Sequence, residues 1–220
     1  MLLLHYTGME TGEGALVRLC DEQALVSAHY LVFEDGRIVA MVDEARRAWH
    51  AGVASWAGDT DINSRSIGIE IVNRGHDLGY PDFPDVQIEA VTALSADIVQ
   101  RCGISGARVL AHSDVAPGRK ADPGEKFPWG VLAEADVGHW VPPVELLDGP
   151  VLNMGDRGDS VAELQFQLAD YGYGIAVDGR YGAVTASVVT AFQRHFRPFK
   201  VDGAADLSTV GTLRLLRDAR

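Results

Sequence analysis

Basic residues are scarce in this chain: 19 Lys and Arg stand against 31 Asp and Glu, a formal net charge of −12 over 220 residues. Phosphate neutralisation needs clustered cations, so the balance argues against nucleic acid as a partner. Long apolar runs are also missing; none approaches the ~18 residues of a membrane span, so no span is expected. Met1-Leu2-Leu3-Leu4 has neither the basic start nor the apolar length of a secretory signal. The expected compartment is therefore the cytoplasm, with the periplasm or cell envelope as the alternative if the start is truncated. Cysteine is nearly absent. Cys20 and Cys102 fit no metal-binding spacing and lie near the ends of apolar helical patterns, so two buried thiols are expected rather than a disulfide. An apolar fraction of 47% supports a real core, in one large or two smaller domains. A monomer is expected.

What is present alternates between strand and helix patterns. Leu2-Leu3-Leu4-His5-Tyr6-Thr7 is an apolar run of strand character ended by Gly8. Residues 13–20 set Ala15, Leu16 and Leu19 at helical spacing. Two β-rich runs, Ser27–Phe33 and Ile38–Val42, flank Asp35-Gly36 and predict a hairpin. Ser66–Asn73 alternates strictly, with Ile67, Ile69 and Ile71 on one face and Gly68, Glu70 and Val72 on the other. Asp85 opens a long helix with Val91, Leu94, Ile98, Val99 and Cys102 on its stripe, stopped by Gly103. Arg108–Ala111 reads as a short buried strand, and a short helix after Trp129 runs to about Ala135. Residues 1–140 are thus an α/β domain.

Residues 141–150 contain three prolines and no periodicity, the composition of a linker. Residues 151–220 read as a small all-α unit of three helices. Ser160 and Glu163 fit a capping box for the first, with Val161, Leu164 and Leu168 inward. Thr185 can cap the second, which carries Val188, Val189, Phe192 and Phe196, and the third runs from about Ser208 through Leu216. Asp178-Gly179 and Asp202-Gly203 follow the first and second helices about 24 residues apart, a near-repeat. No nucleophile, base and metal ligands combine there, so a binding role is expected of this unit.

The chemistry concentrates in His112-Ser113-Asp114-Val115-Ala116-Pro117-Gly118-Arg119-Lys120-Ala121-Asp122-Pro123-Gly124. His112 ends a strand, and two Pro-Gly pairs fold the segment back, a loop able to bring His112 and Asp122 together with no helix between them. One imidazole and one carboxylate make two of the three protein ligands of a catalytic zinc site. The third must come from elsewhere. His5, at the end of its strand, is either that ligand or a hydrogen-bonded core residue. His29 reads as structural. Glu70 is the single charge in its strand: a desolvated general base if the strand is central, a solvent-facing carboxylate if not. Gly68 beside it would leave room for a ligand or metal. Trp49, His50 and Trp56 lie in a small-residue loop, where Trp is suited to stacking on sugar rings.

Five blocks in order, Leu4–Met9, Val26–Tyr30, Trp49–Gly52, Ser66–Glu70 and His112–Gly124, resemble the zinc-dependent N-acetylmuramoyl-L-alanine amidases of the type-2 (AmpD/AmiD-like) family. Residues 151–220 resemble the three-helix peptidoglycan-binding domain attached to cell-wall hydrolases, through Gly155, Gly158, Leu164-Gln165, Asp178-Gly179, Tyr181-Gly182 and Phe192-Gln193. The resemblance implies a mixed β-sheet flanked by helices, with Zn2+ bound by His5, His112 and Asp122. It also implies Glu70 as the carboxylate that moves the water proton to the leaving amine. Lys120 becomes the cation, fixed in a dry site, that faces the oxyanion. Trp49, His50, Asn73 and Arg119 become substrate contacts, and Asp114 orients the loop or a ligand. The implied substrates are peptidoglycan fragments or anhydro-muropeptides, cleaved between N-acetylmuramic acid and L-alanine. A non-catalytic muropeptide receptor and a zinc D-alanyl-D-alanine carboxypeptidase are the rival readings.

Overall fold

The computed structural model describes residues 1–220. Five strands form one mixed sheet: β1 (Leu2–Tyr6), β2 (Tyr30–Val32), β3 (Ile38–Ala40), β4 (Ile67–Ile71) and β5 (Val109–Ala111), in the order β3-β2-β4-β1-β5. β1 pairs in parallel with β4 and β5, β2 in parallel with β4, and only the β2–β3 hairpin is antiparallel. The hairpin closes at Asp35-Gly36, where Gly36 has φ +83°, as the Asp-Gly pair predicts. β1 is apolar on both faces because both are covered. Leu2 and Leu4 pack with Ile67, Ile69 and Ile71 beneath the long helix α2 (Asp85–Cys102), which buries Ile88, Val91 and Ile98 against them. Gly103 ends α2 in the left-handed region, with its N–H on the Val99 carbonyl. Cys102 and Cys20 are exposed and unbridged, contrary to the expected burial. Cys102 is the last residue of its helix and Cys20 the cap just after its own, where the stripe has already rotated out of the core.

The opposite face has two covers. Helix α1 (Gly12–Leu19) packs Leu16 and Leu19 over Leu31, Phe33 and Val72. The rest lies under the helical domain, so that Leu3 and Leu110 belong to one apolar cluster with Val188, Phe192 and Leu213. Trp56 is the keystone of that contact: its ring, 1% exposed, stands edge-on to Tyr173 at 4.9 Å and to Tyr171 at 6.1 Å. The Ala57 N–H donates to the Gly172 carbonyl at 2.8 Å. Residues 141–150 contain no helix or strand, and the Val144 N–H donates to Thr212 Oγ1 at 3.0 Å. After β5 the chain enters a four-residue helix, α3 (His112–Val115), where an irregular loop was expected. The Asp114 carboxylate accepts the Ala111 N–H at 2.8 Å and so satisfies the start of that turn. A short α4 (Trp129–Glu134) follows.

The helical domain consists of α5 (Asp159–Tyr171), α6 (Ala183–Phe196) and α7 (Leu207–Asp218). Neither expected cap at the first two helices forms. Gly158 and Gly182 hold the cap positions without a side-chain bond, and Thr185 is buried inside the first turn of α6. Its partner is Gln165, and this reveals the repeat. Gln165 Oε1 accepts the N–H groups of Asp178 and Gly179, while Nε2 donates to Asp178, the Arg180 carbonyl and Thr185. Gln193 does the same for Asp202, Gly203, the Ala204 carbonyl and Thr209. Each glutamine thereby ties one helix to the turn after it and to the first turn of the next helix. Gln165→Leu is expected to cost about 3 kcal/mol, because several buried groups lose partners at once. Urea denaturation checks it; a change under about 1 kcal/mol would show that the turn is held by something else.

Candidate active site

The parallel register places His5 directly opposite Glu70, so both side chains leave the same face of the sheet. β5 flanks β1 on its other side, with Ala111 opposite Leu4, and His112 is the next residue. Three neighbouring strands thus deliver Glu70, His5 and His112 to one carboxyl-end edge, where α/β sheets form their ligand crevices. Asp122 arrives from the loop, whose return is pinned by the Ser113 N–H on the Asp122 carbonyl at 3.0 Å.

His5 Nδ1 lies 2.9 Å from His112 Nδ1 and 3.0 Å from Asp122 Oδ2, and His112 Nδ1 lies 2.9 Å from the same oxygen. All three residues are buried. The surrounding partners decide where the protons are. His112 Nε2 is 3.0 Å from the Ala51 carbonyl, which can only accept, so Nε2 carries the hydrogen. His5 Nε2 is 3.0 Å from His50 Nδ1, and His50 Nε2 faces Ser66 Oγ at 3.4 Å. Ser66 in turn donates to the Ile62 carbonyl at 2.6 Å. The relay runs outward, His5 to His50 to Ser66 to backbone, and leaves His5 Nδ1 bare. Burial keeps His5 neutral down to about 4. Burial pushes Asp122 up, but the His112 charge and hydrogen bonds from both histidines outweigh it and hold the carboxyl well below its usual range. Two imidazole nitrogens and an ionised carboxylate therefore converge within 3.0 Å, and once any shared proton leaves, all three are electron-pair donors. Such a set repels itself and fits a metal cation.

Glu70 stands beside this triangle. Its Oε2 is buried without a hydrogen-bond partner. Burial, aided by the Asp122 charge and opposed by Lys120, raises its carboxyl well above the ordinary range. The open side of the site is a cleft of about 600 Å³, walled by Tyr6, Met9, Trp49, His76, Arg119 and Lys120.

The remaining candidates are distributed differently from expectation. Lys120 lines the cleft but is exposed at its rim, not enclosed in a dry site. Trp49 is 57% exposed, with the Arg47 guanidinium 4.4 Å from its ring centre. His50 lies in the buried floor and orients His5, and Gly68 makes room for it: a Cβ there would stand 2.6 Å from the His50 ring. The space beside Glu70 is therefore filled by an imidazole, where a ligand or metal was expected. Asn73 does not line the cleft; it is buried and closes the following turn through the Gly75 N–H and the Pro81 carbonyl. Arg119 lines the cleft, yet its Nε and Nη2 are spent on the carbonyls of Ala51 and Val53. Asp114 turns away from the metal ligands toward the helical domain. His29 is structural, accepting the Gly68 N–H on Nδ1 and donating from Nε2 to the Arg46 carbonyl. Tyr6 and His76 escaped the sequence reading. Tyr6 hydroxyl meets His76 Nδ1 at 2.9 Å, and His76 Nε2 faces Glu125 at 3.1 Å, an interaction that holds Glu125 at about 2. For Tyr6 the available signal was its place next to His5 at the end of β1; His76, in a turn beyond β4, carried none.

A buried His–His–Asp donor set beside an unpaired carboxylate, at the crevice of a mixed sheet, defines a metallohydrolase-type centre. The family model described as N-acetylmuramoyl-L-alanine amidase matches residues 1–125, and that of a peptidoglycan binding domain matches residues 157–213. The chain belongs to the N-acetylmuramoyl-L-alanine amidase family. It is 37% identical over 222 residues to N-acetylmuramoyl-L-alanine amidase AmiD of Escherichia coli, covering 95% of this chain and 79% of that protein. It is 43% identical over 105 residues to 1,6-anhydro-N-acetylmuramyl-L-alanine amidase AmpD of Citrobacter freundii, covering 47% of this chain and 54% of that protein. Its structure resembles that of E. coli AmiD in complex with anhydro-N-acetylmuramic acid-L-Ala-D-γ-Glu-L-Lys. That match has a TM-score of 0.84 and 36% identity, covering 99% of this chain and 88% of the other. AmpDh3 of Pseudomonas aeruginosa gives a TM-score of 0.83 at 34% identity, covering 99% of this chain and 91% of the other.

Two outcomes follow from the buried imidazoles. Gly68→Ala displaces His50 and frees His5 to turn, which should weaken metal affinity roughly ten- to a hundredfold, measured by competition with a chromogenic chelator. The metal-free protein should also lose stability as pH falls. His5, His29 and His50 are all held neutral by burial, whereas unfolded imidazoles titrate near 6.5. Below that value the unfolded chain takes up more protons than the folded one, so their stabilisation, full at neutral pH, fades toward about pH 4. Glu70 runs the other way, stabilising at low pH and less as pH rises. Melting in chelator at about pH 5 should fall below that at about pH 7; the reverse order would mean that Glu70 outweighs the histidines.

Proposed function

We propose that this chain is a zinc-dependent hydrolase that cleaves the amide between N-acetylmuramic acid, or its 1,6-anhydro form, and L-alanine of the peptidoglycan stem peptide. The observation that carries the reading is the Glu70 carboxylate, free and proton-avid, next to three converging metal donors. Held by His5, His112 and Asp122, zinc would supply Lewis acidity and bring the pKa of water down to about 7.

The chain's own residues do the rest. Glu70, with no competing partner on Oε2, accepts a proton from the attacking water and releases it to the leaving amine. A raised proton affinity suits both halves of that transfer. Lys120 at the rim brings a positive charge to the carbonyl oxygen as it becomes anionic, and bound substrate supplies the dry surroundings that the open cleft lacks. The exposed face of Trp49 offers a stacking surface for a sugar ring. Residues 1–140 act as the catalytic unit and residues 151–220 add affinity for peptidoglycan.

The test is incubation with a soluble anhydro-muropeptide, followed by mass spectrometry for free stem peptide beginning in L-alanine. Release is expected, abolished by chelator and restored by zinc. Glu70→Gln should lower kcat by about a hundred- to ten-thousandfold while zinc remains bound. Cleavage at a D-alanyl bond, or zinc binding without any cleavage, would favour one of the rival readings. Turnover of soluble fragments in preference to intact sacculi would fit the expected cytoplasmic location.

A further inference from the structure

We infer that the helical domain is a working part of the metal centre, with Tyr173 and His195 as positioning residues that hold His112 in place through Asp114. The inference rests on the assignment of His112 as a metal ligand.

Asp114 lies two residues beyond His112 on α3 and is 0% exposed. Three donors satisfy its carboxylate: the Ala111 N–H at 2.8 Å, the Tyr173 hydroxyl at 2.7 Å and His195 Nδ1 at 2.6 Å. Only the first belongs to its own segment. A carboxylate buried without donors is costly enough that the segment would turn it outward instead. The orientation of α3 that aims His112 at His5 therefore depends on two side chains of the helical domain.

Those two side chains are themselves fixed. His195 lies between the rings of Trp129 at 3.7 Å and Phe196 at 3.8 Å, nearly parallel to both. Tyr173 stands against Trp56. The neighbouring backbone fits closely as well: a Cβ at Gly118 would stand 2.7 Å from Ser187 Oγ on α6. Val115 and Ala116, just after His112, share an apolar cluster with Val188 and Phe192. On the side away from the metal ligands, the His112 segment rests on α6. A flexibly tethered wall-binding module would require none of these contacts.

The test uses the full chain in three variants: Tyr173→Phe, which removes the hydroxyl; His195→Phe, which keeps the stacked ring and removes the donor; and His195→Asn, which restores a donor near the Nδ1 position. Two readouts are taken on metal-free protein: zinc affinity by chelator competition, and hydrogen exchange of the amides of residues 111–116. Tyr173→Phe and His195→Phe are expected to weaken zinc binding about tenfold, the low end for groups that orient a ligand, and to speed exchange locally. His195→Asn should recover most of both. A lowered melting temperature with unchanged zinc affinity and no local change in exchange would overturn the inference, leaving a purely structural contact. Failure of the unsubstituted chain to bind zinc would sink the metal assignment instead. In that case the exchange readout alone decides the positioning role: acceleration confined to 111–116 supports it, and unchanged or uniform exchange overturns it.

Discussion

Everything in the site depends on three electron-pair donors being forced together. Left to themselves, two bare imidazole nitrogens and a carboxylate oxygen at 2.9–3.0 Å would move apart or trap a proton. Their outer nitrogens are committed elsewhere, one to the Ala51 carbonyl and one to His50, so both Nδ1 atoms are held facing the carboxylate. The protein thus holds an arrangement that a cation relieves. Its cost is borne by the surrounding fold.

That surround is specific. Asn63 Oδ1 accepts the N–H groups of His50 and Ala51, and Arg119 grips the carbonyls of Ala51 and Val53. The 49–53 segment is thereby clamped from both sides, and it supplies both partners that set the tautomers. Of the buried side-chain atoms without a hydrogen-bond partner, Glu70 Oε2 is the one carboxylate oxygen, and it lies next to the donors.

The two domains form a single mechanical unit. Residues from Leu3 and Trp56 to Phe192 and Leu213 share one apolar cluster, and the buried Asp114 carboxylate draws donors from both sides of the boundary. The relationship to AmiD and AmpDh3 extends over the same joint arrangement, since both structural matches cover 99% of this chain.

Strand and helix identities were readable because local patterns determine them. The alternation of Ile67–Ile71, the Asp-Gly turn at 35–36 and the Gly103 stop each act within a few residues. His112 and Asp122 were readable as a ligand pair from their loop, whereas His5 and Glu70 stayed open on the residues alone and were named through the family resemblance. The structure brings His5, His112 and Asp122 together and sets Glu70 opposite His5. What the residue pattern could not supply was the burden each group carries. That His50 orients His5, that Gly68 exists for His50, that Asn73 only closes a turn, and that Asp114 faces the helical domain all depend on contacts between segments distant in sequence. The same holds for the exposed cysteines and for the glutamines that tie each helix to the next turn. The sequence by itself determined which elements form and which side chains bear the chemistry, because propensity and reactivity are local. Only the tertiary structure decided which nitrogen is bare and which carboxylate is free, because those depend on partners that folding brings within 3 Å.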